Sequence, residues 1–121
     1  MFTLPIWDLL SSYTGDSREF TFSGPIFDGY YDDIRFLSDL EFHIQIMTLD
    51  DGVNISWSYL KATVEYDGKK QIINEGVFDR TWKMHLEPGD PDDIREIGSG
   101  NTVDLGPVIR EEIIMACHNS F

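Results

Sequence analysis

The sequence predicts an α+β domain, mainly antiparallel β: a curled sheet or small barrel-like meander, with a short N-terminal helix and C-terminal helices packed on it. Three stretches carry that expectation. In Leu40-Glu41-Phe42-His43-Ile44-Gln45-Ile46 every second residue is apolar, which puts Leu40, Phe42, Ile44 and Ile46 on one face of a strand. Val53 to Tyr66 is a β-prone run between two turn signals, Asp50-Asp51-Gly52 and Asp67-Gly68. From Pro107 the apolar positions change to helical spacing, at Val108, Ile109, Ile113, Ala116 and Cys117.

The remaining elements come in chain order. Leu4 to Leu10 is short and apolar, and Pro5 near its start with Gly15 beyond its end fits a helix of one or two turns. Arg18 to Ser23 alternates, with Phe20 and Phe22 on one side, and Gly24-Pro25 stops it. Ile26 to Asp33 is aromatic and acidic and reads as a loop. Within Val53–Tyr66 the apolar residues Val53, Ile55, Trp57 and Tyr59 share one face, whereas Leu60, Ala62, Val64 and Tyr66 share the other. The apolar face therefore changes sides between Tyr59 and Leu60, and a bulge, a bend or a crossing between sheets would produce that change. Lys70–Asn74 and Val77–Leu86 are the next strands, the latter with Phe78, Arg80, Trp82 and Met84 on one side. Asp90 followed by Pro91 and two further acids predicts a short capped helix to about Ile97.

The totals bound the function. The 121 residues fit a single domain, 1–121, and 41% hydrophobic content supplies a core. One cysteine, Cys117, rules out an internal disulfide framework and a four-thiolate zinc site. The opening residues lack a basic segment followed by an apolar run, and no stretch is apolar enough to span a bilayer, so a cytoplasmic location without membrane contact is expected. His43, His85 and His118 lack paired ligand spacing. Neither acidic cluster, Asp28-Asp32-Asp33 nor Asp90-Asp92-Asp93, has the ladder of a calcium loop. Gly98-Ser99-Gly100 lacks the lysine of a phosphate loop, and no Gly-x-Ser-x-Gly elbow is present. The expectation is a non-enzymatic protein with no cofactor and no metal.

The net charge of -13 is unevenly spread. Residues 1–52 hold ten acids and two bases, net -8; residues 53–85 hold four acids and five bases, net +1; residues 86–121 hold eight acids and two bases, net -6. The five central bases, Lys61, Lys69, Lys70, Arg80 and Lys83, are the candidate RNA-facing residues; Trp57, Tyr59, Tyr66, Phe78 and Trp82 nearby could offer rings for stacking, but as large aromatics they are expected rather to pack in the core. The acidic total weakens attraction to phosphate, so any direct RNA contact is expected to be weak.

One block looks like a signature. Thr102-Val103-Asp104-Leu105-Gly106-Pro107-Val108-Ile109-Arg110-Glu111-Glu112-Ile113-Ile114 resembles the "hydrophobic-Asp-Leu … Val/Ile-Arg-Glu-Glu-hydrophobic" block of the YceD-type family, the large ribosomal RNA subunit accumulation proteins. Leu4 with Asp8-Leu9-Leu10 resembles the family's opening segment, and Leu40 to Trp57 its paired central strands. The resemblance implies a non-enzymatic accessory role in accumulation or assembly of large-subunit ribosomal RNA. It also implies, as partner, a ribosomal protein, a processing factor or a pre-ribosomal particle. Asp104, Arg110, Glu111 and Glu112 are the candidate partner-contact residues; a helix cap and a solvated helix face are their structural alternative. Members usually carry a Cys-x-Arg-Cys-like block after the central strand, where this chain reads Tyr66-Asp67-Gly68-Lys69, and many continue past the last helix into a cysteine-bearing tail, whereas this sequence ends at Cys117-His118-Asn119-Ser120-Phe121. A metal-linked role therefore does not carry over. Two other readings stand beside this one: an acidic inhibitor that mimics nucleic acid, and a small-ligand binder in a β-barrel mouth.

Overall fold

The architecture is organised around one long strand. The computed structural model describes residues 2–119; Met1, Ser120 and Phe121, to which the N-terminal and tail readings extend, lie outside them. In chain order the elements are β1 (Thr3–Pro5), α1 (Trp7–Leu10), β2 (Ser17–Gly24), β3 (Ile34–Phe36), β4 (Leu40–Thr48), β5 (Gly52–Tyr66), β6 (Lys69–Glu75), β7 (Phe78–Lys83), β8 (Arg95–Glu96), β9 (Thr102–Asp104) and α2 (Gly106–Asn119). β5 is flanked along its length, by β4 and β3 on one side and by β7 and β6 on the other. β2 extends the sheet beyond β4, and β8 joins β7 in parallel. The fold is thus α+β, its sheet mainly antiparallel and open rather than closed into a barrel.

The change of face within β5 has a definite cause. His43 lies opposite Tyr59, but Ile44 lies opposite Trp57, so Ser58 is an extra residue. The bulge reverses the alternation: Val53, Ile55 and Trp57 are buried before it, and Leu60, Ala62 and Val64 after it. Tyr59 accordingly turns to the outer face and stacks beside His43, with ring centroids 6.4 Å apart. On the other side of β5 the register does not slip. Leu60 faces Glu75 and Trp57 faces Phe78, leaving Gly76 and Val77 opposite the bulged pair. β6 and β7 are therefore one broken strand that copies the reversal, with Ile73 inward in β6 and Trp82 inward in β7.

The turns obey their residue chemistry. Asp67 and Gly68 both have positive φ, 54° and 73°, as a two-residue hairpin that matches strand twist requires. Gly52 serves differently: a Cβ there would lie 2.0 Å from the carbonyl oxygen of Trp82, so β5 approaches β7 too closely for any side chain.

The inner face of the sheet is covered from two directions. Val108, Ile109, Ile113 and Cys117 of α2 are fully buried, and the helix lies nearest β6. Phe2, Ile6 and Leu9 cover the rest, with the Phe2 ring edge-on to Phe22 and Phe42. Each fully buried aliphatic or aromatic side chain contributes roughly 1.5–3 kcal/mol. The two covers are joined to each other. Thr3, Leu4 and Pro5 pair with Asp104, Val103 and Thr102, and the Leu105 N–H donates to the Phe2 carbonyl.

Two helix expectations are corrected. The segment from Leu4 forms strand β1 before a single helical turn, because β9 supplies a partner for residues 3–5. Residues 91–97 do not form a helix. The Asp90 carboxylate accepts from the Glu87 N–H at 2.7 Å and from Lys83 Nζ at 2.9 Å, so it closes the preceding turn instead of capping the residues after it. Arg95 and Glu96 then pair with Trp82 and Lys83. One C-terminal helix is present among the described residues, not several.

The Gly52 contact makes a sharp prediction. Gly52→Ala should lower stability by about 2–3 kcal/mol through overpacking, whereas Gly76→Ala, with open space around the new methyl, should leave it within about 0.5 kcal/mol. Urea denaturation midpoints at constant slope would read both; equal effects would remove the close-approach explanation.

Candidate functional site

The signature-like block folds into one structural unit. Val103 is buried in β9, Leu105 is fully buried, and Asp104 Oδ1 accepts from the Gly106 N–H at 2.9 Å, satisfying an amide at the start of α2. The Tyr31 hydroxyl donates to the Gly106 carbonyl at 2.6 Å, and burial with nearby negative charge pushes the phenol well above its ordinary range.

The three consecutive charged residues of α2 then reach in three directions. Arg110 donates through Nε and a terminal guanidinium nitrogen to both carboxylate oxygens of Asp33, in the loop before β3. Glu111 pairs with Arg95 of β8. Glu112 pairs with Arg80 of β7, with side chains only 8% and 18% exposed. At the far end of the helix the His118 ring meets the Tyr66 ring edge-on at 5.8 Å. All four candidate partner-contact residues, Asp104, Arg110, Glu111 and Glu112, thus have partners within the chain.

The Glu112–Arg80 pair is the costly member of this set. Burial raises the Glu112 carboxyl above its ordinary value, and the neighbouring guanidinium opposes that shift without cancelling it. A buried ion pair of this kind contributes little in net terms, but removing one partner leaves an uncompensated charge.

The five candidate RNA-facing bases are not brought to one free surface. Arg80 points inward to Glu112. Lys83 is held by Asp90 at 2.9 Å and Asp51 at 3.5 Å, and the two pairings raise the ammonium pKa while Asp90 is lowered. Lys61 lies across from Glu41 in the strand register, its Nζ 5.0 Å from the Tyr59 ring centre. Lys70 lies across from Glu65, and Lys69 sits at the tip beside Gly68, across from Tyr66. An acid stands against each of Lys61, Lys70, Arg80 and Lys83. Of the candidate stacking rings, Trp57 is buried and stacked on Phe78 at 4.9 Å, and Trp82 is buried as well.

The partners Asp33 and Arg95 gave no sequence signal. Asp33 is one acid of a cluster, 77 residues from Arg110, and Arg95 falls in the segment read as a helix. A depression of about 420 Å³ beside Arg95 is lined by Trp82, Ile94 and Pro107 together with Asp92, Glu96 and Asp104, so apolar and acidic groups share it. Among the described residues no group of three or more His, Cys, Asp or Glu could hold a metal ion, and no helix is long and apolar enough to cross a membrane. No family model, curated protein or solved structure matches the chain.

The buried pair predicts a pH-dependent defect. Arg80→Ala should destabilise by about 3 kcal/mol at neutral pH. Without the guanidinium the folded Glu112 carboxyl titrates at still higher pH than the unfolded one, so the folded state holds an extra proton and the deficit shrinks as pH falls toward the ordinary value of 4.5. Denaturation at pH 7 and pH 5 would reveal this; a deficit independent of pH would contradict it.

Proposed function

We propose that the chain is a non-enzymatic accessory factor in ribosome biogenesis that supports accumulation or assembly of large-subunit ribosomal RNA, acting through protein contacts in the cytoplasm. The observation that carries this reading is spatial. The block that carries the specific resemblance to the YceD-type family, residues 102–114, and the opening segment, residues 4–10, are far apart in sequence yet hydrogen-bonded together through β1 and β9. That juxtaposition lets the two segments act as one unit.

The charge distribution supports protein contacts over direct RNA binding. The central bases are matched by acids, while the acidic surplus of the two flanks suits basic ribosomal proteins. The nucleic-acid mimic is less well supported: Asp8, Asp28, Asp33, Asp51, Asp90, Glu111 and Glu112 are all in ion pairs, not aligned as free charges on one face.

Sedimentation of native cell extract tests the reading. The protein should travel with large-subunit precursors, and its deletion should lower the ratio of large- to small-subunit ribosomal RNA. Absence from every ribosomal fraction, together with unchanged ribosomal RNA on deletion, would overturn it.

A further inference from the structure

β2 presents an unpaired sheet edge. It pairs with β4 in unbroken register from Ser17–Met47 to Gly24–Leu40, and β4 is its one strand neighbour among the described residues. The Thr48 N–H donates to the Asp16 carbonyl, so the bonded pairs with β4 fall on even-numbered residues and the N–H and C=O groups of Ser17, Glu19, Thr21 and Ser23 point away from the sheet. β2 contains no proline, lysine or internal bulge; its two charged residues, Arg18 and Glu19, lie in its first half, so Phe20 to Gly24 carries none of the usual edge protections. Phe20, on the inward side, is left 36% exposed at this border.

The charge around the edge selects the occupant. Residues 1–52 are net -8, and both of their bases are already paired, Arg18 with Asp8 at 3.2 Å and Arg35 with Asp28 at 4.0 Å. Glu19, 3.9 Å from His43, and Glu41, opposite Ser23, are exposed on the outer face. A second copy of this chain would bring another -13 to the same border.

We propose that the free edge of β2 takes up an extended basic peptide segment as an additional antiparallel strand. Residues of the incoming strand opposite Glu19 and Thr21 point outward and bond to β2 through their backbone, and lysine or arginine there meets the acidic face. Residues opposite Phe20 and Phe22 point inward, and apolar side chains there cover the exposed ring. The inference is independent of the ribosomal reading, because it defines the partner by chemistry alone.

The test uses the full chain and synthetic octapeptides of alternating valine and lysine, followed by amide exchange and titration in NMR. Exchange should slow at Ser17, Glu19, Thr21 and Ser23. N-methylation of the lysine residues should weaken binding about tenfold or more, because it removes the bonded edge, whereas N-methylation of the valines should leave it nearly unchanged. Thr21→Pro should weaken binding comparably while the remaining spectrum stays that of a folded protein. Equal binding by both methylated peptides would reduce the association to charge attraction and overturn the proposal. Slowed exchange confined to the 28–33 loop would do the same. Concentration-dependent slowing at β2 without peptide would assign the edge to a second copy instead.

Discussion

The extra residue Ser58 is the constraint on which the rest of the molecule depends. A strand of fifteen residues with strict alternation would keep one face inward along its length. The bulge instead lets β5 bend and present Val53, Ile55 and Trp57, then Leu60, Ala62 and Val64, to one continuous interior. The neighbours on its far side must comply, which is why β6 and β7 are separate strands broken at Gly76 and Val77. Val77 itself is 85% exposed, an apolar residue left outside because the reversal passes through it.

The helix that closes the interior is held by charge as much as by apolar contact. Its buried stripe sets which face points inward, but a stripe alone tolerates sliding along the sheet. Arg110, Glu111 and Glu112 bond to a loop, to β8 and to β7 respectively, so three directions are constrained at once. The exposed members contribute modestly to stability. Their effect is to define a register, and the Arg80–Glu112 pair enforces it because any shift would bury unpartnered charge.

What could be read in the sequence was local. The alternation of Leu40 to Ile46, the Asp67-Gly68 turn and the helical spacing after Pro107 each depend on neighbours within a few residues, and each is present. Even the change of face near Tyr59 was legible, since the parity of apolar residues breaks there, although Tyr59 itself turned outward with the bulge. What failed depended on distant partners. Residues 91–97 carry good helix-start chemistry, but Lys83 draws away the Asp90 carboxylate and the edge of β7 pairs with Arg95. Residues 3–5 become a strand because Thr102–Asp104 lies beside them. The roles of Asp33 and Arg95 were likewise invisible, because a salt bridge between elements has no sequence spacing.

The pairing of β1 with β9 also bears on how the chain is assembled during synthesis. Thr3 finds its partner in Asp104, so β1 waits for about a hundred more residues to be translated before its hydrogen bonds can form. The hairpins built on β4, β5 and β6 can close well before then, since their partners are sequential neighbours. Until β9 and α2 emerge, Phe2, Ile6 and Leu9 have no fixed lid to complete, and the apolar inner face of the sheet stands open to other chains. The interval between translation of residue 75 and completion of α2 is therefore the period in which this protein most needs protection from aggregation.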